Sequence, residues 1–470
     1  MKRTPIHGAA AEFRNSELGD RRLDKRLAAI VERAATSPTA SFPKMLPSIA
    51  EREALYRFVE NDRVEWSAIL EPHHNATAQR CREALLVRVA HDTTWFTFEG
   101  SREGLGPVMK AKRQGFGGHF ALAVSADERR APLGVLAVSA FVRPVKPIVR
   151  TKQQRAAAHQ ESRLKSRDDK ESARWMACVR AAEERVGVDA ACIHVMDQEA
   201  DNFAILADLV AENRRFVIRG SVERRLDSRG RKHVDKALDG VTARAFRTVP
   251  IAPRVKSTPG HPRRDERDAT LMIRGMSIVL PRPTHAQHAT KKLLLNVVHV
   301  FEPNPPTGNE PIEWALYTTE PIDTATKLAA VVDHYRARWR DEEFFKALKT
   351  GCAFEKRQLT SYDSLRRAMA LLVPIAWHLL AIRTVARDAG TRPASDILDD
   401  VQVEVLRVLA PNSKIPARPT ARDVMRALAD VGGHVRQNGD PGWLVLGRGY
   451  EEFVRAEMVW RAALRRSSEK

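Results

Sequence analysis

Cysteine is scarce in this sequence. Its 470 residues hold four, Cys81, Cys178, Cys192 and Cys352, and no two form a CxxC or CxxH pair. That spacing excludes a disulfide scaffold and a zinc finger, and it fits a reducing cytoplasm. Long apolar runs are missing too. The longest, Met369 to Ile382, has 14 residues and contains Pro374 and His378, too short to cross roughly 30 Å of hydrocarbon. The opening MKRTPIHGAAAEFR is basic but lacks the apolar stretch of roughly 7–15 residues that a signal peptide needs. No membrane partner is expected.

Acid is also in deficit. Asp plus Glu number 59 against 78 Lys plus Arg, a formal charge of +19 and a pI of about 10.1. Such a balance points to a polyanionic partner, nucleic acid before a membrane surface. The excess is concentrated: residues 141–180 carry 11 basic and 4 acidic side chains, and residues 214–274 carry 17 and 7. Guanidinium groups meet phosphate bidentately, which would give affinity without sequence preference. Solvated faces of surface helices and loops are the alternative. Apolar residues make up 43% of the chain, enough for a buried core, and the length allows two to four domains at about 100–200 residues each.

The first 75 residues read as helical. In LGDRRLDKRLAAIVERAAT the apolar positions Leu23, Leu27, Ile30 and Val31 recur at helical spacing behind Asp20, a capping residue. AEREALYRFVEN predicts a second helix. LLVRVAHDTTWFTF, GHFALAVSAD and APLGVLAVSAFV then predict a three-strand antiparallel meander. The helix DKESARWMACVRAAEERV, the strand ACIHVM, the helix DNFAILADLVAEN and the strand RFVIRG follow. Residues 221–325, rich in Pro, Arg and short β-like runs, read as a mostly β insertion. From Thr326 the pattern is helical to about 385; a linker-like stretch over 386–420 leads to a helical C-terminus.

Three acids have a context for chemistry. Asp92 ends the apolar run LLVRVAH, Asp197 ends ACIHVM, and Glu342 lies in YRARWRDEEFFKALKTG. Strand-end acids meet at a sheet edge, where a crossing helix can add a third carboxylate, and such a cluster binds hard divalent cations. Strand-terminal caps are the plain alternative for Asp92 and Asp197. At about 100° per residue, Tyr335, Arg338, Glu342 and Lys349 share one helix face about 60° wide, with Glu343 off it. That face suits metal and phosphate together, or else an i,i+4 ion pair between Arg338 and Glu342.

YRARWRDEEFFKALKTG resembles the YREK signature of bacterial cut-and-paste DDE insertion-sequence transposases, of which the transposon-five transposase is the best known. Tyr335, Arg338, Glu342 and Lys349 take its four places with the family spacing. HDTTWFTF is similar to the strand bearing the first catalytic Asp, and DQEAD to the motif bearing the second, with Gln198 in place of Arg. KESARW, RFVIR, the LGD-RR segment and the YRF of residues 56–58 match in the same order.

The resemblance implies an α/β fold: an RNase H-like core with a mixed five-stranded sheet and helices on both faces, over residues 76–220 and 326–385, and a β insertion at 221–325. It implies a helical end-DNA-binding domain at 1–75, with Arg22 and Arg26 as candidate DNA contacts, and a helical dimerisation region at 386–470. Asp92, Asp197 and Glu342 would hold two Mg²⁺ ions, with Mn²⁺ able to substitute. Tyr335, Arg338 and Lys349 would position end phosphates, Arg219 would lie near the active site, and Trp314 would stack on a flipped base, although by itself Trp314 also reads as a core strand residue. The implied partners are the double-stranded inverted-repeat ends, target DNA and a second copy of the chain in a synaptic complex; the implied setting is the bacterial cytoplasm, at the nucleoid. The implied reaction is nicking, hairpin formation, hairpin opening and joining of the 3′-hydroxyl to target DNA. A transposase-derived DNA-binding or inhibitor protein without catalysis, and a stand-alone nuclease of RNase H type, are the alternative functions.

Overall fold

The computed structural model describes residues 9–468 apart from 47, 109–112, 145–150, 152–172, 228–232, 252–263, 285, 287, 310, 389–390, 436 and 438–440. Much of both basic stretches, including Arg229, Arg231 and Lys232, and the KES of KESARW lie outside the described residues.

The N-terminal helices form where the pattern places them. Helix α1 (Arg21–Thr36) starts at Asp20, whose carboxylate accepts the Arg22 N–H, and buries Leu27, Ile30, Val31 and Ala34. Helix α2 (Ile49–Val59) opens with a capping box between Ser48 and Glu51. A third helix, α3 (Trp66–Ala84), carries Pro72 inside it and two histidines, His73 and His74, on its buried face, which mask its apolar spacing. It runs without a break past residue 75 to the first strand.

Strands β1 (Leu86–Phe98), β2 (Arg113–Ser125) and β3 (Pro132–Phe141) make the predicted meander, with Asp92 opposite Phe120 and Phe120 opposite Val138. On β2, Gly117 leaves room for the Phe141 ring; a Cβ there would lie 2.3 Å from it. Helix α4 (Ala173–Val186) leads to β4 (Ala191–Met196), and helix α5 (Phe203–Ala211) to β5 (Arg215–Gly220). β4 pairs parallel with β1 on one side and with β5 on the other.

The sheet does not stop at five strands. Strands β6 (Ala245–Ile251), β7 (Arg267–Pro281), β8 (Lys292–Phe301) and β9 (Glu313–Thr318) form an antiparallel run, and β9 pairs antiparallel with β5. With a short strand at Gly106–Val108 beside β2, the result is one ten-stranded sheet. Pairing with β9 satisfies the outer edge of β5, which would otherwise present bare N–H and C=O groups.

Helices α6 (Ala325–Arg336) and α7 (Trp339–Lys346) follow the sheet. Helix α8 (Tyr362–Asp388) has the length and apolarity to cross a membrane, yet most of it is buried inside the protein as a core helix. The stretch read as a linker contains helix α9 (Asp400–Leu409), started by an Asp399–Gln402 capping box. Helices α10 (Ala421–Val431) and α11 (Trp443–Ser468) complete the chain.

One polar cluster ties the N-terminal segment to this scaffold. Glu12 accepts from His73 Nδ1 at 2.6 Å and from Arg80 at 2.9 Å through both oxygens. His73 Nε2 accepts the Val135 N–H of β3, and the Arg80 guanidinium lies 4.4 Å from the Trp377 ring of α8. Burial alone would raise the Glu12 carboxyl, but its bonds to His73 and Arg80 hold it at about 2. A group depressed in this way stabilises above its unfolded value near 4.5 and loses that contribution as pH falls through about 2. Glu12→Gln is expected to lower unfolding free energy by about 2 kcal/mol at pH 7, the scale of a charged hydrogen bond. In urea unfolding, the gap between wild type and variant should close towards pH 2.

Candidate active site

Asp92 is not at a strand end. It lies inside β1, but at the place where the parallel ladder gives out: His91 pairs with Met196, the last residue of β4. One step further, the chain leaves the sheet at Asp197, whose carboxylate caps a short turn by accepting the Glu199 N–H at 2.9 Å. Register alone therefore sets Asp92 beside Asp197. On the opposite face of the sheet His91 meets His194 at 2.9 Å, and His194 meets Glu183 at 3.1 Å, a buried polar chain under the acids.

The segment carrying Glu342 is not one regular helix. Between α6 and α7 the N–H groups of Ala337, Arg338, Arg340 and Asp341 reach carbonyls three residues back, and Ala347–Gly351 forms a wider π turn. The tight turn keeps Tyr335, Arg338 and Glu342 on one side. Within the wide turn, Lys349 Nζ donates to the Trp95 carbonyl of β1 at 2.8 Å.

Arg338 is the centre. One guanidinium nitrogen donates to Asp92 Oδ2 at 3.1 Å and another to Glu342 Oε1 at 2.8 Å. Tyr335 is buried beside it, and the Trp314 ring of β9 lies 5.8 Å from the Tyr335 ring, half-buried. Arg219, on β5, acts on both Asp197 and Tyr335 electrostatically. Arg22 and Arg26 lie on α1; the Arg22 side chain is 91% exposed.

The electrostatics are those of crowded acids. Burial, then the charge of Asp197, pushes the Asp92 carboxyl up to about 7 against the pull of Arg338. Burial raises Asp197 and Tyr335 as well, and it lowers the Lys349 ammonium. Tyr335 first, then Glu342 and Asp92, raise the Arg338 pKa in spite of burial.

Of the two acids that flank Glu342, the sequence places Glu343 off the shared face and offers no reading of Asp341. Glu343 is buried and pairs with Arg340, Arg383 and Arg387 at 2.7–3.0 Å, joining α7 to α8. Asp341 is fully buried, and neither oxygen has a hydrogen-bond partner. Burial, followed by the charge of Asp92, raises its pKa well above the usual carboxylate range. The DE of RWRDEEFF carried the signal: acids amid aromatics on a helix have to be explained.

The donor set suits a hard divalent cation, since Asp92, Asp197 and Glu342 offer oxygen only and Asp341 adds two unfilled acceptors. Among the described residues no three acids, histidines or cysteines stand close enough to share an ion, because the Arg338 guanidinium lies between Asp92 and Glu342.

Two family models match the chain. Residues 8–64 match a transposase DNA-binding model, and residues 115–377, more than half the chain, match the transposase DDE domain. This protein belongs to the DDE transposase family. The DDE match takes in Asp197 and Glu342; Asp92 lies ahead of it and joins them through the β1–β4 register. A solved structure, the cryo-EM piggyBac transposase synaptic complex with hairpin DNA, aligns over 93% of this chain and 79% of its own at 9% identity, with a TM-score of 0.34. A likeness of that size carries no weight for fold or function.

The paired acids separate under mutation. Glu343→Ala removes the buried anion that three guanidinium groups share and should cost about 3 kcal/mol, the low end for a broken buried pair because Arg387 stays half-exposed. Glu342→Ala should leave thermal stability within about 0.5 kcal/mol of wild type, the range for a substitution outside the core. Melting curves of the two variants decide this.

A cation held by Asp92 would bind in a pH-dependent way. With its carboxyl at about 7, a cation entering below that pH must displace a proton. Mn²⁺ affinity should rise about tenfold per pH unit up to about pH 7 and then level off. Calorimetry in two buffers of different ionisation enthalpy measures the proton released; affinity flat from about pH 5.5 to 7.5 would contradict the assignment.

Proposed function

We propose that this chain is a cut-and-paste transposase of a bacterial insertion sequence, acting on the element's inverted-repeat ends. It cleaves by metal-dependent phosphoryl transfer through a hairpin intermediate and joins the freed 3′-hydroxyl ends to target DNA. One observation carries the reading: in a DDE transposase chain, Asp92, Asp197 and Glu342 gather around one guanidinium where the parallel pairing of β1 with β4 gives out.

Asp92, Asp197 and Glu342 would hold two Mg²⁺ ions, with Mn²⁺ as a substitute. Bound there, such cations activate water or a 3′-hydroxyl and stabilise the leaving oxygen at phosphorus. The protein's own part is placement. Arg338 and Arg219 offer guanidinium forks to end phosphates, Tyr335 buttresses Arg338, and Lys349 sets β1 against the turn after α7. Trp314, half-buried beside Tyr335, presents a ring to an extruded base. Arg22 and Arg26, on α1 inside the DNA-binding match, would contact the end sequence.

Strands β3–β2–β1–β4–β5, three antiparallel and then two parallel, form the RNase H-like part of the sheet in this reading. A homodimer would form through the C-terminal helices, where Met458, Val459 and Leu464 of α11 leave apolar side chains 47%, 71% and 47% exposed.

The test is incubation of the protein with Mg²⁺ and DNA that carries the flanking inverted repeats, resolved on a denaturing gel over time. Asp92→Asn, Asp197→Asn and Glu342→Gln should each abolish strand cleavage and keep end binding. Trp314→Ala should nick at near-normal rate while the hairpin step slows roughly 5- to 150-fold, the value of one lost stacking contact of about 1–3 kcal/mol. Double-strand breaks without a transient hairpin would remove the hairpin from the route.

A further inference from the structure

We propose that Asp341 is a fourth carboxylate of the cation site, an oxygen donor standing with Asp92 rather than a core residue. The inference rests on reading Asp92, Asp197 and Glu342 as cation ligands.

The position is built for an apolar side chain. Asp341 follows Ala337 by one turn and precedes Phe344 by three residues, and both of those neighbours are fully buried in the hydrophobic core. An aliphatic residue would fit the pattern. The acid there is fully buried with two unfilled acceptors, although native proteins pair nearly all such atoms. Other buried carboxylates of this protein are satisfied: Glu343 has three arginines, Glu320 has Arg215, and Glu302 has Arg267. Asp341 alone of these lacks a partner in the polypeptide.

The surroundings say what sort of partner is missing. The charges that act on Asp341 most strongly are those of Asp92, Arg338, Glu342 and Asp197. Arg338, the only positive one of the four, is already committed to Asp92 and Glu342. A neutral hydrogen-bond donor would leave several acids facing one another. A hard divalent cation supplies positive charge and takes oxygen ligands in number, so it answers both needs at once. The contribution expected of such a supporting carboxylate is about 10- to 100-fold in metal affinity.

The experiment uses the full-length, metal-free protein with Mn²⁺ alone as the probe, followed by calorimetry and by the Mn²⁺ electron paramagnetic resonance signal. Asp341→Asn keeps the shape of the side chain, and Asp341→Leu fills its place with apolar atoms. Both should bind Mn²⁺ about 10- to 100-fold more weakly than wild type. The rise in melting temperature that Mn²⁺ gives should shrink accordingly. Without metal, both variants should melt no lower than wild type, because the acid they replace is unpaired. Wild-type Mn²⁺ affinity in Asp341→Asn, with or without a lowered melting temperature, would overturn the inference; should Asp341→Leu fail to fold, Asp341→Asn decides alone. Asp92→Asn separates the two readings: if it loses Mn²⁺ and Asp341→Asn does not, only the fourth carboxylate is wrong. A wild-type protein that binds no Mn²⁺ overturns both.

Discussion

Crowded carboxylates repel one another, and the folded chain gathers four of them, Asp92, Asp197, Asp341 and Glu342, within electrostatic reach of one arginine. Arg338 is the interaction on which that gathering depends. Its guanidinium joins Asp92 of the sheet to Glu342 of α7, so one side chain both neutralises the acids and fastens the helix to the strand. A planar group with several fixed donors can do this, and a lysine, with its single point of charge, cannot. The tightened turn between α6 and α7 follows from the same demand: three residues per turn align Tyr335 with Arg338 and aim the guanidinium at β1.

The sheet supplies what the arginine needs. Parallel pairing that ends at His91 and Met196 sets the next residues, Asp92 and Asp197, beside each other. Core packing then holds the helix that brings Glu342, because Phe344 and Phe345 of α7 pack against Phe120 of β2. Glu343 adds a second fastening on the other side, through arginines of α8. Adjacent glutamates thus have opposite duties, one facing the acids and one buried as a clasp.

Much of this was legible in the sequence, and the misses have physical causes. The meander, the α4–β4–α5–β5 alternation and the cap at Asp20 are local patterns, and local patterns survive folding. Asp92, Asp197 and Glu342 could be singled out because acids at the ends of apolar runs are conspicuous. A uniform 100° per residue cannot foresee a tight turn at Ala337–Asp341 followed by a wide one at Ala347–Gly351. The continuity of the ten-stranded sheet depends on β9 meeting β5, a pairing across about a hundred residues that no window of sequence contains. Helix α3 hid behind a proline and two buried histidines, and Asp341 behind its more familiar neighbour.

The Glu12 cluster bears on modularity. The DNA-binding match ends at residue 64, yet its Glu12 is held by side chains of α3 and, through Arg80, leans on Trp377 deep in the DDE region. A fragment cut at that boundary would take the anion and leave its donors, His73 and Arg80, behind. The recognition segment is therefore no interchangeable head on a separate engine. Chimaeras between relatives have to be cut after α3, and any strain that DNA puts on the first helices has a short, dry route to the sheet.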